Sequence, residues 1–222
     1  MGLLRSRLTT IGGSSTVSKE HIITDIGRLE TLYGEATPRA ITKELRYLNS
    51  EYRTFVEAAP FMAVATVGSE GLDCSPRGDR GSIARVVDEK TVQFADRRGN
   101  NRLDTLRNIV QDNRIGLLFL VPGVSETMRI NGRAIISVAP DLLASFSVDG
   151  KAPRSVVEVT VEQAYFQCSK ALVRSRIWDT ENQLAETDVP TAGQMLEATV
   201  SGDFDRDEYD KALQQRQGDE LW

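Results

Sequence analysis

Four arginines and three asparagines crowd the stretch ADRRGNNRLDTLRNI, from Ala95 to Ile109. Arginine carries a planar, always-charged fork that matches the oxygens of a phosphate or carboxylate. A helix starting near Asn100 or Asn101 would add free N–H groups and a partial positive charge. Asn101 fits as its N-cap, and Asp104, three residues on, suits its first turn. Arg97, Asn101 and Arg102 are therefore spaced to gather a phosphate. A polar strand-to-helix loop with a solvated face has the same composition, so residue types alone do not choose. The stretch SPRGDRG (75–81) offers another cation, Arg77, at a strand end shaped by Pro76 and Gly78.

Charge narrows the class of ligand. The 222-residue chain has a formal net charge of -5. Between Arg77 and Arg114 nine basic residues meet six acidic ones, whereas from Asp179 onward twelve acidic residues meet three basic ones. A locally basic centre in an acidic chain points to a small anion; a nucleic-acid surface would more often make the whole domain basic. His21 is the only histidine and the cysteines are two, Cys74 and Cys168. That excludes a histidine triad and a two-histidine zinc site, and makes a reduced, cytoplasmic protein the default. Both cysteines read as small packing residues. No Walker loop or GxGxxG follows a strand, and no apolar run approaches the roughly 18 residues that cross a bilayer. The first twenty residues read as a flexible arm, with Met1-Gly2 and Ser6 only loosely fitting an acylation pattern.

Elements that would position the basic centre follow from periodicity. Thr37-Pro38 predicts a helix start, and Ile41, Leu45, Leu48, Tyr52, Phe55 and Val56 recur at helical spacing up to Pro60. FMAVATV predicts a strand and LDCSP its hairpin partner. SIARVVD and TVQFA predict two more strands across a turn at Asp88–Lys90. Leu103, Leu106, Ile109 and Val110 form the expected buried stripe of the next helix. RIGLLFLVP reads as a fully buried strand and ETMRINGRAIISV as an alternating one. PDLLASF is a short helix. RSVVEVTVEQAYFQC is the clearest alternation, with Val157, Val159 and Val161 on one face, and the short helix SKALVRSRIW follows. DRDEYDKALQQRQ reads as a solvated helix. Six or seven strands with short connections favour an antiparallel meander barrel over a βαβ sheet.

The motif series CSPRGD, VQFADRRGNNRLDTLRNI, RIGLLFLVPG and ETMRINGRA, in this order over about Phe61 to Trp178, resembles the pyridoxamine 5'-phosphate oxidase-like FMN-binding split-barrel proteins. It is most similar to their FMN-dependent branch with no assigned substrate. The resemblance implies a mainly β fold with flanking helices. Its centre would be a six-stranded antiparallel split barrel that pairs into a homodimer, with FMN in clefts at the dimer interface. It divides the chain into an N-terminal arm and helix (1–36), the barrel (37–178) and an acidic helical extension (179–222). Asn101 and Arg102 match the pair that holds the FMN phosphate, with Arg97 beside them. Ala95 and Asp96 match the strand-end pair touching the cofactor. Ser75, Pro76, Arg77 and Gly78 match the strand along the flavin. Thr127 falls where the named oxidase carries a glutamine near the flavin, and Arg129 is placed to take over polar contact. Lys170 and Arg174, four apart on one helix face, lie where a partner subunit could reach the flavin.

The C-terminal Arg-x-His signature of true pyridoxamine 5'-phosphate oxidases is absent, so vitamin B6 oxidation is not expected. The implied function is that of an FMN-dependent oxidoreductase acting on a small molecule. A non-catalytic flavin-binding or sensing module needs the same pocket, and a barrel holding a deazaflavin or haem is the further alternative. No membrane and no nucleic acid partner is expected. Trp178 and Trp222 read as packing residues, and Arg80, Arg98 and Arg107 as solvated or structural.

Overall fold

The computed structural model of the chain describes residues 17–185 and 188–219. The start of the expected arm, the acylation pattern and Trp222 lie outside them. The described residues fall into two compact units, one up to Ile41 and one from Thr42 onward. The first holds helix α1 (Ile26–Tyr33), whose N-cap Asp25 accepts a hydrogen bond from the Arg28 N–H.

Helix α2 starts at Pro38 as expected but ends at Thr42, and α3 covers Ser50–Ala58. A single helix to Pro60 is thus not formed. Leu45 instead pairs through its backbone with Ala164, at 2.9 and 2.7 Å, and the Leu48 N–H donates to the Glu89 carbonyl at 2.7 Å. Pairing with a distant strand has overridden the local helical pattern. Asn49 then caps α3 through the Tyr52 N–H.

Strands β1 (Phe61–Gly68) and β2 (Gly71–Gly78) form the first hairpin, β3 (Arg85–Asp88) and β4 (Thr91–Asp96) the second. Helix α4 (Asp104–Gln111) follows, then β5 (Arg114–Leu120), β6 (Thr127–Ser137), α5 (Pro140–Ser145) and β7 (Ser155–Gln167). All seven strands lie in one sheet of order β2-β1-β5-β6-β7-β4-β3, antiparallel throughout. The expected class holds, with one strand more than six. The edge strands β2 and β3 are not hydrogen-bonded to each other, so the barrel is split there. Beyond it lie α6 (Lys170–Ser175), α7 (Ala192–Glu197) and the solvated α8 (Arg206–Asp219).

Alternation buries Met62 and Val64 of β1, Leu117 and Phe119 of β5, and Val157, Val159 and Val161 of β7. β5 is less buried than its apolar run predicted, because Leu118 and Leu120 face the other side and are half-buried. Two further expectations fail. Cys74 and Cys168 are exposed, since Cys74 falls on the outward phase in mid-β2 and Cys168 lies just past the end of β7. On α4 the expected stripe holds at Ile109 and, partly buried against the core, at Leu106, but Leu103 and Val110 are exposed and Thr105 and Asn108 are buried in their place. The helix begins at Asp104 rather than near Asn101, so Leu103 is its cap and not part of its buried stripe. Gly68 makes room for Asn108: a Cβ there would lie 2.0 Å from the Asn108 side-chain oxygen. Asn108 instead donates to Thr66 Oγ1 at 3.2 Å, so this buried polar pair is satisfied.

Candidate functional site

β2 and β4 end on the same side of α4. Their ends, the 97–103 loop and the first turns of α4 enclose a cavity of about 400 Å³. It gathers most of the residues singled out above: Pro76, Arg77, Gly78, Ala95, Asp96, Arg97, Asn101 and Arg102. Arg98 and Arg154 join them, so five guanidinium groups line a space with one carboxylate, Asp96, among its lining residues.

The arginines are not equivalent. Arg97 is committed to structure: its side chain is 16% exposed and makes a two-pronged contact with Asp79 at 2.8 and 2.9 Å. It also donates to the Phe146 carbonyl at 2.7 Å. Arg102 is 78% exposed and uses Nε on Asp104 at 2.5 Å. Arg77 is held from behind. Its Nη2 donates to Thr105 Oγ1 at 3.2 Å, Thr105 donates to Asp73 at 2.5 Å, and Ser75 Oγ donates to the same carboxylate. Ser75 therefore acts on the far side of this relay rather than on the cavity lining. Arg77 also lies 4.0 Å from Asp96. Burial raises the Asp96 carboxyl above its ordinary range, against the opposing pull of the Arg77 and Arg154 charges.

Asn101 is not an N-cap. The helix cap is Leu103, without a side-chain hydrogen bond. Asn101 sits in the left-handed region at φ 60°, and its Oδ1 accepts from Arg154 at 2.9 Å, while Asn100 Oδ1 accepts from the Arg102 N–H. Asparagine tolerates that backbone region better than most residues. The first-turn N–H groups of α4 are therefore left without a side-chain cap beside the arginine cluster.

A phosphate monoester fits this chemistry. It needs several donors and compensating positive charge, and the cavity supplies guanidinium groups from three segments together with an uncapped helix start.

The model of the family described as pyridoxamine 5'-phosphate oxidase matches residues 48–168. The chain belongs to the pyridoxamine 5'-phosphate oxidase family. The matched span runs from just before α3 to the end of β7 and so contains the whole sheet and the cavity. Among curated proteins none matches the chain. Solved structures similar to it include HupZ of Group A Streptococcus, with 20% identity over 53% of this chain and 91% of that one, TM-score 0.44. A protein of the pyridoxinephosphate oxidase family from Clostridium acetobutylicum, related to general stress protein 26, has 16% identity over 53% and 85%, TM-score 0.42. An F420 reductase has 16% identity over 54% and 98%, TM-score 0.39.

Four of the residues singled out in this family member lie elsewhere. Thr127 is buried at the start of β6, opposite Gln167 at the end of β7, and Arg129 donates to the Tyr165 hydroxyl at 2.9 Å. Lys170 and Arg174 follow on α6, where Arg174 Nε donates to the Lys170 carbonyl. Trp178 ties the end of this segment down by donating its Nε1–H to the Val124 carbonyl at 2.8 Å. Asp96 pairs with Ser155, at the other end of β7. The long β6–β7 ladder thus separates the two groups within one chain.

Sequence reasoning missed Arg154, Thr105 and Asp73. Arg154 carried a signal: it immediately precedes Ser155, in a strand whose pairing with TVQFAD would bring the two ends together. Thr105 and Asp73 carried none, because both become important only through Arg77.

Proposed function

We propose that the chain is an FMN-binding flavoprotein that holds the FMN phosphate in the arginine-lined cavity. We read it as an FMN-dependent oxidoreductase of a small molecule in the cytoplasm, working as a homodimer. The observation that carries this reading is the convergence of Arg77, Arg98, Arg102 and Arg154 on about 400 Å³ beside the uncapped start of α4. When bound, FMN supplies the electron and hydride transfer, and the protein supplies position and electrostatics. Arg102 and Asn101 would hold the phosphate, Arg77 and Asp96 would face the cofactor, and Pro76 and Gly78 would shape the wall beside it. Thr127, Arg129, Lys170 and Arg174 would approach from a second copy.

FMN and riboflavin titrations of the protein test the reading. FMN should bind with flavin absorbance retained through gel filtration, and riboflavin, lacking the phosphate, much more weakly. Arg102→Ala should weaken FMN modestly, because the contact is charge-assisted but the side chain is exposed to solvent. Equal affinity of FMN and riboflavin removes the phosphate site. Bleaching of the bound flavin by NADH or NADPH separates an oxidoreductase from a non-catalytic flavin carrier.

A further inference from the structure

The cavity does not end at Arg98 and Arg154. These two and Arg97 also line a second hollow of about 310 Å³, completed by Lys151, Ala152 and Pro153. No carboxylate is among its lining residues. Arg97 is already met by Asp79, but Arg98, Lys151 and Arg154 have no ion pair with a carboxylate among the described residues. Asp149, the acidic residue nearest to Lys151 in sequence, sits instead 4.0 Å from Arg80.

The fold builds this hollow. Asp96 pairs with Ser155, so the loop leaving β4 and the loop entering β7 depart from the sheet side by side. The second loop is pinned. Val148 and Lys151 exchange both backbone hydrogen bonds, at 3.0 and 2.9 Å, around Asp149 and Gly150 at φ 51° and 77°. Positive φ at both central residues is the signature of a tight two-residue turn. Pro153 is buried, and Arg154 bridges to Asn101 of the first loop. Three like charges therefore share one hollow with no carboxylate in its lining, and Asp96 acts on Arg154 only from beyond ion-pair distance.

We propose that this hollow binds a second phosphate group lying next to the phosphate held in the main cavity. The proposal rests on the FMN reading, because Arg98 and Arg154 border both spaces. The second phosphate has two possible sources of the same chemistry. It is either the distal phosphate of a pyrophosphate-extended flavin such as FAD, or a phosphate of a separate nucleotide seated beside FMN.

Lys151 discriminates, since it lines the second hollow and not the first. The apoprotein is titrated with FMN and with FAD, and the FMN-loaded protein with 2',5'-ADP, each for wild type and Lys151→Ala, by calorimetry or flavin fluorescence. Lys151→Ala should weaken FMN less than about twofold and the ligand with the second phosphate about three- to tenfold, as expected for one exposed charge, with the loss shrinking at high salt. Loss in the FAD arm alone assigns the site to an extended cofactor; loss in the 2',5'-ADP arm alone assigns it to a second nucleotide. If neither ligand binds, or neither depends on Lys151 while FMN binds normally, the second site is overturned and the flavin reading stands. If FMN itself fails to bind wild type, the reading beneath it falls as well.

Discussion

Thr105 holds two partners with one hydroxyl: it accepts from Arg77 and donates to Asp73 while being almost fully buried. Removing that hydroxyl leaves a carboxylate oxygen and a guanidinium N–H short of partners. Thr105→Val should cost about 1–3 kcal/mol of stability and also weaken FMN, whereas Thr105→Ser should keep both near wild type. Urea melts paired with FMN titrations check this; a stability loss with FMN affinity intact would show that the relay does not position Arg77. Asp96 gives a pH signature. Its carboxyl is raised by burial, so the folded chain binds that proton more tightly than the unfolded chain. Its contribution to stability is full below the unfolded pKa and is lost as pH rises through the folded pKa. Asp96→Asn should remove this downward component. Urea midpoints of wild type and variant measured from about pH 4 upward, compared pairwise, should diverge in favour of the variant; parallel curves would mean the carboxyl titrates at its ordinary value.

Strand phases were legible, and so was the start of α2 at Pro38, whereas the start of α4 was not. The alternation in VVEVTVE predicts the buried face of β7, and the structure buries Val157, Val159 and Val161. The extra residue in that strand has no such signal. Asn131 pairs with Gln163 but Gly132 with Val161, so Glu162 is bulged. Gly132 is required at the bulge, since a Cβ there would meet the Thr160 carbonyl oxygen at 2.0 Å. Gly132→Ala should therefore destabilise by about 1–3 kcal/mol, because backbone has to move. Gly116→Ala, whose nearest contact would be the Asn131 side chain at 3.4 Å, should cost clearly less. Equal urea midpoints for the two variants would place the bulge elsewhere. Helix α4 illustrates the opposite case. Its N-terminus shifts three residues from the Asn101 position, because Asn101 enters the left-handed region and spends its side chain on Arg154.

At the scale of the whole molecule the two groups of singled-out residues lie at opposite ends of the β6–β7 ladder. Exposed apolar side chains sit near the second group, among them Phe166, Val173 and Ile177. A twofold dimer would cover such a face and bring one copy's Lys170 toward the other's cavity. Light scattering of the FMN-loaded protein should give twice the mass of one chain. Lys170→Ala should then lower the flavin midpoint potential while leaving FMN affinity nearly intact, as expected if a fixed cation stabilises the negative charge of the reduced ring. A monomer with FMN bound, or an unchanged potential, would remove the shared site.

What the sequence determined by itself are features set by near neighbours along the chain. These are the strand alternations, the hairpin at Asp88–Lys90, the basic segment around Arg97 to Arg102 and the order of motifs that marks the family. Only the tertiary structure decided which arginines serve the cavity. Arg97 is drawn off by Asp79 and Phe146, Arg77 is braced through Thr105, and Arg154 arrives from fifty-three residues away. The same holds for the broken helix between Thr42 and Ser50 and for the exposed cysteines. The physical reason is common to all: a guanidinium or a backbone N–H bonds to whichever acceptor the fold brings within about 3 Å, and sequence spacing does not specify partners on other strands.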